Sequence, residues 1–583
     1  MLAGLALVLF LVGLGRPPLW EPDEGRYAEI AREMVTSHDY ITPHNNFVRY
    51  FEKPPLVYWL TAASLKFFGP DEFAVRLQAA IASVGQVAIT GALGEKMFGP
   101  TTGVIAGLVL ALSPLFFAFA RFATPDPALA FFITAALACF YSSFRWSDRS
   151  IDIGTNWMVG AAAMLGLGTL TKGPVALLLA GTIAILWLLQ QGWQQVLFRV
   201  PWLRCGGVYL GFTLPWFIAV AQRNPGFLTF FIIHEHFQRY LESTEHSWGP
   251  WFYIPITIAG TWPWVYFVPF ALLPGPIKRT SSWWPFRRNL KRPPESYVEA
   301  HGLNADSDGE HTGAALDFLV TWFAVVFIFF SIPRSKLGEY ILPALPPIGI
   351  LAAHGLMRIE KLATPTRRPV FLLFAAINLA AATAIVVFST VVSFGSFSIL
   401  SGDARVVAAA LFAVAITSVL FAGCVTTIIT ALAMSVIVEI GAATNARERL
   451  APLVSYRGLA RIIAPYIHRG CKLMSYGHFE QALPFYTGEP EILVNYRGEL
   501  QPFGPRVDSK DSVFASLRQL EKTWAGDQCV ILVVNGLNLP TLANLLSPKP
   551  TLVGCEGKKA ALYNRQVRVS GQDGRAPKGC KTP

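Results

Sequence analysis

The chain has 583 residues, of which 53% are hydrophobic and only 15% are charged. A soluble domain carries about 25% charged residues, so this composition excludes an ordinary soluble protein and indicates one embedded in a membrane. The net charge of +11 would also suit a nucleic-acid-binding surface. Because the basic residues are spread over short loops between apolar runs, we interpret the charge as membrane topology and expect no nucleic-acid partner.

Apolar runs follow one another along most of the chain, and a membrane-spanning helix needs about 20 such residues. The last run, 404–439, is too long for one span at ~1.5 Å per residue, so we divide it near Gly423. The sequence therefore predicts an α-helical polytopic membrane protein of about 13 spans. The runs are 2–15, 74–97, 102–120, 127–141, 155–170, 175–189, 206–221, 251–272, 318–332, 340–357, 370–392 and 404–439.

The first run, 2–15, is short and has no Lys or Arg before it. A cleaved signal peptide is the alternative interpretation, but no small-residue cleavage site precedes the charged segment that follows, which favours a membrane anchor. With a cytoplasmic N-terminus, the loops rich in Lys and Arg all fall on the cytoplasmic side, as the positive-inside rule requires. Residues 16–72 and the C-terminus then lie outside.

After Ala442 short β-branched runs alternate with polar helical stretches, which predicts a small α/β domain. We expect a transmembrane domain over 1–441 that includes an outer loop, 16–72, with interfacial helices. An extracytoplasmic α/β domain over 442–569 and a disordered tail over 570–583 would follow. The cysteines of this part could pair in an oxidising compartment, in any of three connectivities, or remain buried free thiols. They are Cys471, Cys529, Cys555 and Cys580.

The segment EPDEGRYAEIAREM, residues 21–34, concentrates charge directly after the first apolar run. One interpretation is an amphipathic helix in the headgroup layer. Asp23 would then cap the helix, and Arg26 would form surface ion pairs with Glu29 or Glu33.

The next charged segment, RYFEKPPLVYW, covers residues 49–59. It sets Glu52 and Lys53 beside aromatic side chains, among them Tyr50, and two prolines. Charges beside a membrane are costly unless they are paired or used. We therefore interpret both segments as parts of an interfacial pocket in which carboxylates face cations; a solvated interfacial loop is the alternative.

Three later segments place charge at the outer ends of spans. ATPDPAL contains Asp126, LTKGP contains Lys172, and RSKLGEYILPALPP contains Lys336 and Tyr340 ahead of a proline-broken helix start. Cations from several outer loops would make a cradle for a phosphate group. These cations are Arg26, Lys172, Arg239 and Lys336.

The segment FFIIHEHFQRYL holds His234 and Arg239 in one outer loop. His234 and Glu52 could share a divalent metal. Imidazole with carboxylate suits Zn²⁺, whereas Mg²⁺ and Mn²⁺ prefer oxygen ligands. No nucleotide-binding loop is found, so we expect no nucleotide cofactor.

Six segments together resemble the bacterial lipid A aminoarabinose transferases, which belong to the protein O-mannosyltransferase-like group of polyprenyl-phosphate-sugar glycosyltransferases. The resemblance covers about residues 2–357 in the same order, and KLGEY departs from it where many relatives have Pro-Thr or Pro-His between Leu and Tyr. The segments are PDEGRYAEIAREM, RYFEKPPLVYW, TPDPAL, TKGP, EHFQRY and KLGEYILPALP.

The resemblance implies a membrane glycosyltransferase of the GT-C fold that uses a sugar on undecaprenyl phosphate and an outer-leaflet acceptor such as lipid A. It implies a site in a bacterial inner membrane that faces the periplasm, with the C-terminal domain on the same side. The implied roles are catalytic for Asp23, Lys53 and Asp126; carrier-phosphate binding for Arg26, Lys172, Arg239 and Tyr340, with Lys336 added from its position; pocket wall for Tyr50; and metal binding for Glu52 and His234.

Two alternatives remain open at this stage. A related transferase could glycosylate a protein or another glycan or lipid of the cell envelope. A transporter or flippase of lipid-linked sugars would also place charges near a membrane, although transporters often contain inverted repeats and none is found here.

Overall fold

The computed structural model describes residues 2–146, 151–238, 247–273, 307–392, 400–422, 424–500 and 512–565. Arg239 and the tail over 570–583 lie outside these residues. Helices dominate up to Val454. The helices of this part are α1 (Leu2–Leu11), α2 (Asp23–Ser37), α3 (Leu56–Phe68), α4 (Glu72–Phe98), α5 (Pro100–Ala111), α6 (Pro114–Ala120), α7 (Asp126–Ser143), α8 (Thr155–Lys172), α9 (Val175–Gln191), α10 (Trp202–Arg223), α11 (Phe227–Thr229), α12 (Tyr253–Thr261), α13 (Val268–Leu272), α14 (Ser307–Ser331), α15 (Leu345–Glu360), α16 (Thr364–Val392), α17 (Ser401–Leu420) and α18 (Val425–Val454).

Eight helices in the described part of the chain are long and apolar enough to cross a membrane, or nine if the bent pair α5–α6 is one span. Three shorter apolar helices, α1, α3 and α9, come in addition. The protein is therefore a polytopic membrane protein with a mostly helical fold. The count of about 13 spans stays a prediction.

Two apolar runs expected as single spans are broken by proline. The run over 102–120 bends by 65° between α5 and α6, because Ser113, which precedes Pro114, is extended and a residue before proline avoids the helical region. The run over 251–272 is divided in the same way at Trp262, which precedes Pro263. The run over 251–272 is therefore not one continuous helix, and its assignment as a span stays a prediction.

The outer loop contains two helices, α2 and α3, and a hairpin of two short strands, β1 (His44–Asn45) and β2 (Val48–Arg49). Another short hairpin joins α7 to α8, formed by β3 (Phe144–Trp146) and β4 (Ile151–Ile153). Short 3₁₀ or π-helical segments fill several other connections. They are Gln194–Arg199, Phe230–Gln238, Pro250–Phe252, Trp264–Phe267, Gly338–Ala344, Gly498–Leu500 and Gly536–Asn538.

The C-terminal domain is a six-stranded sheet with helices on both faces. Its strands lie in the order β7-β6-β5-β8-β10-β9, parallel from β7 to β8 and antiparallel at β10 and β9. The elements are α19 (Arg457–Ile467), β5 (Lys472–Tyr476), α20 (Ala482–Thr487), β6 (Ile492–Val494), β7 (Phe514–Ala515), α21 (Leu517–Ala525), β8 (Val530–Asn535), α22 (Leu539–Leu545), β9 (Thr551–Glu556) and β10 (Lys559–Tyr563).

The central strand β8 shows why this domain folds as three layers. Its residues from Val530 to Val534 are all buried, which is typical of a strand covered on both faces. Ile531 packs with Ile463 of α19 on one face, and Leu532 packs with Trp524 of α21 on the other. A disulfide joins Cys471 to Cys529, so these two cysteines pair and are not buried free thiols.

The C-terminal domain docks directly on α2. Gly25 of α2 approaches α20 so closely that a Cβ atom there would clash with the backbone nitrogen of Ala482. The side chain of Asn46 in the β1–β2 turn donates to the carbonyl of Glu491 at 2.7 Å and accepts from its N–H at 2.8 Å. Thus α2 lies between α3 and the C-terminal domain, and the interpretation of α2 as a surface helix was wrong.

Candidate active site

The first turn of α2 carries two of the expected site residues, Asp23 and Arg26. Asp23 is the first residue of the helix and makes no capping hydrogen bond, so the N-cap interpretation was wrong. The guanidinium of Arg26 lies 3.5 Å from the carboxylate of Asp23 and 3.0 Å from that of Glu499. The expected ion pairs with Glu29 or Glu33 are not those formed, because Glu29 pairs with Arg32 at 2.7 Å.

Arg26 is surrounded by oxygen atoms although it is buried. Burial alone would lower the pKa of its guanidinium, but Tyr50, Glu499 and other acidic neighbours raise the pKa well above its ordinary value. Tyr50 is itself 2% exposed, and burial raises the pKa of its hydroxyl. Arg26 therefore stays charged, and its Nε atom has no hydrogen-bond partner among the described residues.

The bend before α3 brings Glu52 and Lys53 into the same region. The ammonium of Lys53 lies 3.4 Å from the carboxylate of Glu235 and 3.9 Å from that of Glu52. Glu235 belongs to the π-helical segment Phe230–Gln238, and π-helical turns are frequent at functional sites. The segment expected to supply His234 thus reaches the site, and Glu235 is the residue whose side chain is seen there.

The outer ends of α7 and α8 hold the second group of charges. Asp126 begins α7 and Lys172 ends α8, with 2.5 Å between the carboxylate and the ammonium. These positions are the ones that a helix dipole favours for an anion and a cation. The ammonium also lies 4.0 Å from the ring centre of Tyr340, a cation–π contact. Gly173, which follows α8 directly, has a φ of 84°, a conformation that favours glycine.

The two groups of charges belong to one site. The buried hydroxyl of Tyr27 interacts electrostatically with both Asp23 and Asp126, and its ring stacks on that of Tyr58 at 5.8 Å. Tyr58 in turn lies within the electrostatic reach of Glu52 and Arg26. The stacked pair Tyr27 and Tyr58 therefore lies between the charges around Arg26 and the charges around Lys172.

Lys336 is placed differently from the other expected phosphate ligands. It is 2% exposed, and its ammonium donates to the carbonyl oxygens of Trp248, at 3.1 Å, and of Pro333. The described contacts of Lys336 therefore hold two segments of backbone together. A role for it in phosphate binding stays a prediction.

The metal site expected at Glu52 and His234 is not formed by the described side chains. Among the described side chains, no group of three or more His, Cys, Asp or Glu residues is placed to hold a metal ion. The side chain of His234 is not among the described side chains. A bound metal stays a prediction from the resemblance.

A buried ion cluster supports α2 beneath the site. Glu24 is fully buried and pairs with Arg76 of α4 at 2.6 Å and with Arg447 of α18 at 2.7 Å. It also accepts from the backbone N–H groups of Ala123 and Trp20, each at 3.0 Å. Burial alone would raise the pKa of Glu24, but the two guanidinium groups lower it to about 2.

Several site residues were missed by sequence reasoning. Glu499 lies 473 positions after Arg26 and belongs to another domain, and no local pattern links the two. Glu235 and Glu339 stood inside quoted segments but were given no role. Tyr27 and Tyr58 look like ordinary core aromatics in the sequence.

Two stretches of the sequence match the models of known families. Residues 52–218 match the sequence model of the dolichyl-phosphate-mannose-protein mannosyltransferases, and residues 459–554 match that of the aminoarabinose transferase C-terminal domain. The chain is 33% identical over 357 residues to the undecaprenyl phosphate-alpha-4-amino-4-deoxy-L-arabinose arabinosyl transferase of Enterobacter sp. (strain 638), covering 61% of this chain and 58% of that protein. The relative of the same name from Yersinia enterocolitica is 32% identical, with 60% and 58% covered. The match therefore spans less than two thirds of the length of these curated relatives.

A solved structure covers more of the chain. The crystal structure of ArnT from Cupriavidus metallidurans bound to undecaprenyl phosphate superposes with a TM-score of 0.79 and 26% identity, covering 98% of both chains. Its apo form gives 0.77 and 26%, with 97% of both chains covered. The fold is therefore the GT-C type of polytopic membrane protein, with a small α/β domain packed on the charged end. Within that class, the chain is similar in sequence to the aminoarabinose transferases and in structure to ArnT.

Proposed function

We propose that this protein transfers a sugar, 4-amino-4-deoxy-L-arabinose, from undecaprenyl phosphate to lipid A. One observation carries the proposal. Asp23, Asp126 and Lys172 meet at one end of a chain that aligns over 98% of its length with an ArnT structure bound to undecaprenyl phosphate. The names of the curated relatives give the same sugar on the same carrier.

Transfer from the donor mainly requires cations in the site. Its leaving group is a phosphate on a lipid, which departs as an anion without a strong acid. Preorganised positive charge stabilises such a developing anion. Arg26 and Lys172 are the described cations assigned to that phosphate, with Arg239 expected from the resemblance; each would donate charge-assisted hydrogen bonds.

Activation of the acceptor requires a carboxylate in the site. A hydroxyl or phosphate oxygen of lipid A must be oriented or deprotonated before it attacks the sugar carbon. Asp23 is assigned to this step because its carboxylate is 34% exposed and thus reachable, whereas the carboxylate of Asp126 is 6% exposed and bound to Lys172. During the same transfer, Asp126 would orient Lys172, and Lys53 would orient Glu52 and Glu235.

The location is part of the proposal. A lipid carrier of this kind places the site at the periplasmic face of a bacterial inner membrane, with the C-terminal domain on that side. The Cys471–Cys529 disulfide supports this side, because disulfides persist in oxidising compartments such as the periplasm. A reporter fused to the C-terminus should be active only outside the cytoplasm; cytoplasmic activity would contradict the orientation.

The test uses the purified full-length protein with undecaprenyl-phosphate aminoarabinose and lipid A. Mass spectrometry should detect lipid A carrying the added sugar together with free undecaprenyl phosphate. Transfer to another envelope lipid, glycan or protein in place of lipid A would favour a related transferase. Movement of the donor across vesicles without bond cleavage would favour the transporter alternative.

A further inference from the structure

Glu339 is a buried carboxylate to which the proposed reaction assigns no role. It is 8% exposed and lies in the 3₁₀ segment Gly338–Ala344, next to Tyr340, whose ring contacts the ammonium of Lys172. This segment packs against α7, the helix that begins with Asp126. The carboxylate of Glu339 interacts electrostatically with Asp126, Lys172 and Asp23. It therefore lies within electrostatic reach of both aspartates and of the ammonium of Lys172.

Lys172 alone does not balance both its acidic neighbours and an anionic ligand. Asp126 and Glu339 both act on this single ammonium, so the group has a net charge of −1 when both carboxylates are ionised. A phosphodiester bound by Lys172 would add another negative charge. Buried charges that lack a counterion are costly. A cationic group on the ligand itself would restore the balance.

We propose that Glu339 is a specificity-determining residue that binds a positively charged amino group on the donor sugar. In a sugar phosphate the ring is attached directly to the phosphate, so a ring substituent lies within a few ångströms of it. A phosphate held by Lys172 would thus place the sugar beside Asp126 and Glu339. The inference deepens the proposed function and rests on it.

A second role for Glu339 would be chemically different. A protonated Glu339 could donate a hydrogen bond to the carrier phosphate, and it would then be indifferent to the sugar. The two roles separate when the amino group of the donor is replaced by a hydroxyl group. That replacement removes the positive charge and leaves the phosphate and the lipid unchanged.

The experiment compares two donors, undecaprenyl-phosphate aminoarabinose and its hydroxyl analogue, in the full-length protein and in Glu339→Gln. The wild-type protein should prefer the amino donor, and the variant should lose roughly 10- to 100-fold in kcat/KM with that donor, as for the loss of one buried charge-assisted hydrogen bond. Its kcat/KM with the hydroxyl donor should change by less than about twofold. Glu360→Gln, an exposed change at the far end of α15, should leave both values as in the wild type.

Equal losses with both donors would overturn the inference in favour of the phosphate-donating role. Unchanged or increased values with both donors would overturn it as well. A second measurement needs no variant: the wild-type protein should bind the amino donor about tenfold or more tightly than the hydroxyl donor, and equal affinities would overturn the inference. A wild-type protein that transfers neither sugar would instead refute the proposed function.

Discussion

Arg26 of α2 and Glu499 of the C-terminal domain form an ion pair of 3.0 Å across the boundary between the two parts of the protein. The side chains are 13% and 25% exposed, so water screens the attraction between the two charges only in part. The C-terminal domain therefore contributes a side chain to the candidate site, in addition to being attached to the last helix. Arg26 is assigned to the carrier phosphate, which makes Glu499 a positioning residue for it.

Glu499→Ala should raise the KM for the donor about tenfold with little change in kcat, because a charge-assisted hydrogen bond that orients the guanidinium is lost. Glu499→Gln should have a smaller effect, since its amide oxygen can still accept from Arg26. Steady-state donor titration measures both. In an Arg26→Ala background, Glu499→Ala should add nothing further; a full additional loss there would separate Glu499 from Arg26.

Asp23→Asn keeps the size of the side chain and removes its charge. If Asp23 orients or deprotonates the acceptor, transfer should fall by about 10²- to 10⁴-fold, the usual contribution of a general base, while donor binding is retained. Single-turnover assays with prebound donor measure this loss. Asp39→Asn is the matched control, because Asp39 lies in the same outer loop and pairs with the exposed Arg223 at 3.5 Å. Near-normal transfer by Asp23→Asn would remove Asp23 from the chemistry.

The sequence predicted the charged ends of the spans better than the surroundings of α2. Asp126 and Lys172 stand beside prolines or glycines at the outer ends of apolar runs, so span topology alone places both on one side. The amphipathic pattern of α2 was assigned to the headgroup layer. Such a pattern states only that one face is polar, and here the C-terminal domain covers that face in place of water or lipid.

Long-range pairs were beyond sequence reasoning for a related reason. The contacts of Arg26 with Glu499 and of Glu24 with Arg447 join residues more than 400 positions apart. Local spacing carries no information on such pairs. Arg447 could have been suspected only because it is a charged residue in the last part of a helix whose earlier residues are apolar.

The carrier pocket makes a prediction about two cations from different loops, Lys172 and Arg239. Each Ala substitution should weaken donor use by about 10- to 100-fold, the value of one charge-assisted hydrogen bond shielded from water. The double variant should lose less than the sum of the two free energies if both groups bind one phosphate. Donor titrations of the three variants measure this. Arg223→Ala, which removes an exposed arginine of the same side, should have no effect; an unchanged donor dependence in all variants would remove both residues from the pocket.

The ion cluster of Glu24 should dominate the stability of the outer loop. Glu24→Gln leaves the buried Arg76 without its charged partner, which should cost about 3–5 kcal/mol of unfolding free energy. Because the pKa of Glu24 is lowered to about 2, its contribution is present above the ordinary glutamate value of about 4.3 and is lost as the pH falls towards 2. Thermal unfolding in detergent should show this acid-limb loss in the wild type and not in Glu24→Gln. Equal unfolding temperatures for the two proteins at neutral pH would contradict the role.

The interface between α2 and the C-terminal domain should respond to pH in the opposite direction. Glu491 is fully buried there, and neither of its carboxylate oxygens has a hydrogen-bond partner among the described residues. Burial raises its pKa well above the ordinary value, and the nearby carboxylates of Glu480 and Glu21 raise it further. The ammonium of Lys559 faces this cluster and pairs with Glu480. The ring of His478 lies 2.9 Å from the same carboxylate, and the hydroxyl of Tyr456 also faces the cluster.

A carboxyl group whose pKa is raised in the docked state binds more protons there than in the undocked state. Its contribution to docking is therefore fully present below about pH 4.3, the ordinary value, and is lost as the pH rises through the raised pKa of Glu491. Hydrogen exchange of α2 and α20 should accordingly quicken on the alkaline side of that pKa. Glu491→Gln carries no charge at any pH and should remove most of this alkaline acceleration, whereas Glu489→Gln, an exposed change two residues away, should keep it. An alkaline response that persists unchanged in Glu491→Gln would assign the pH dependence to other groups of the interface.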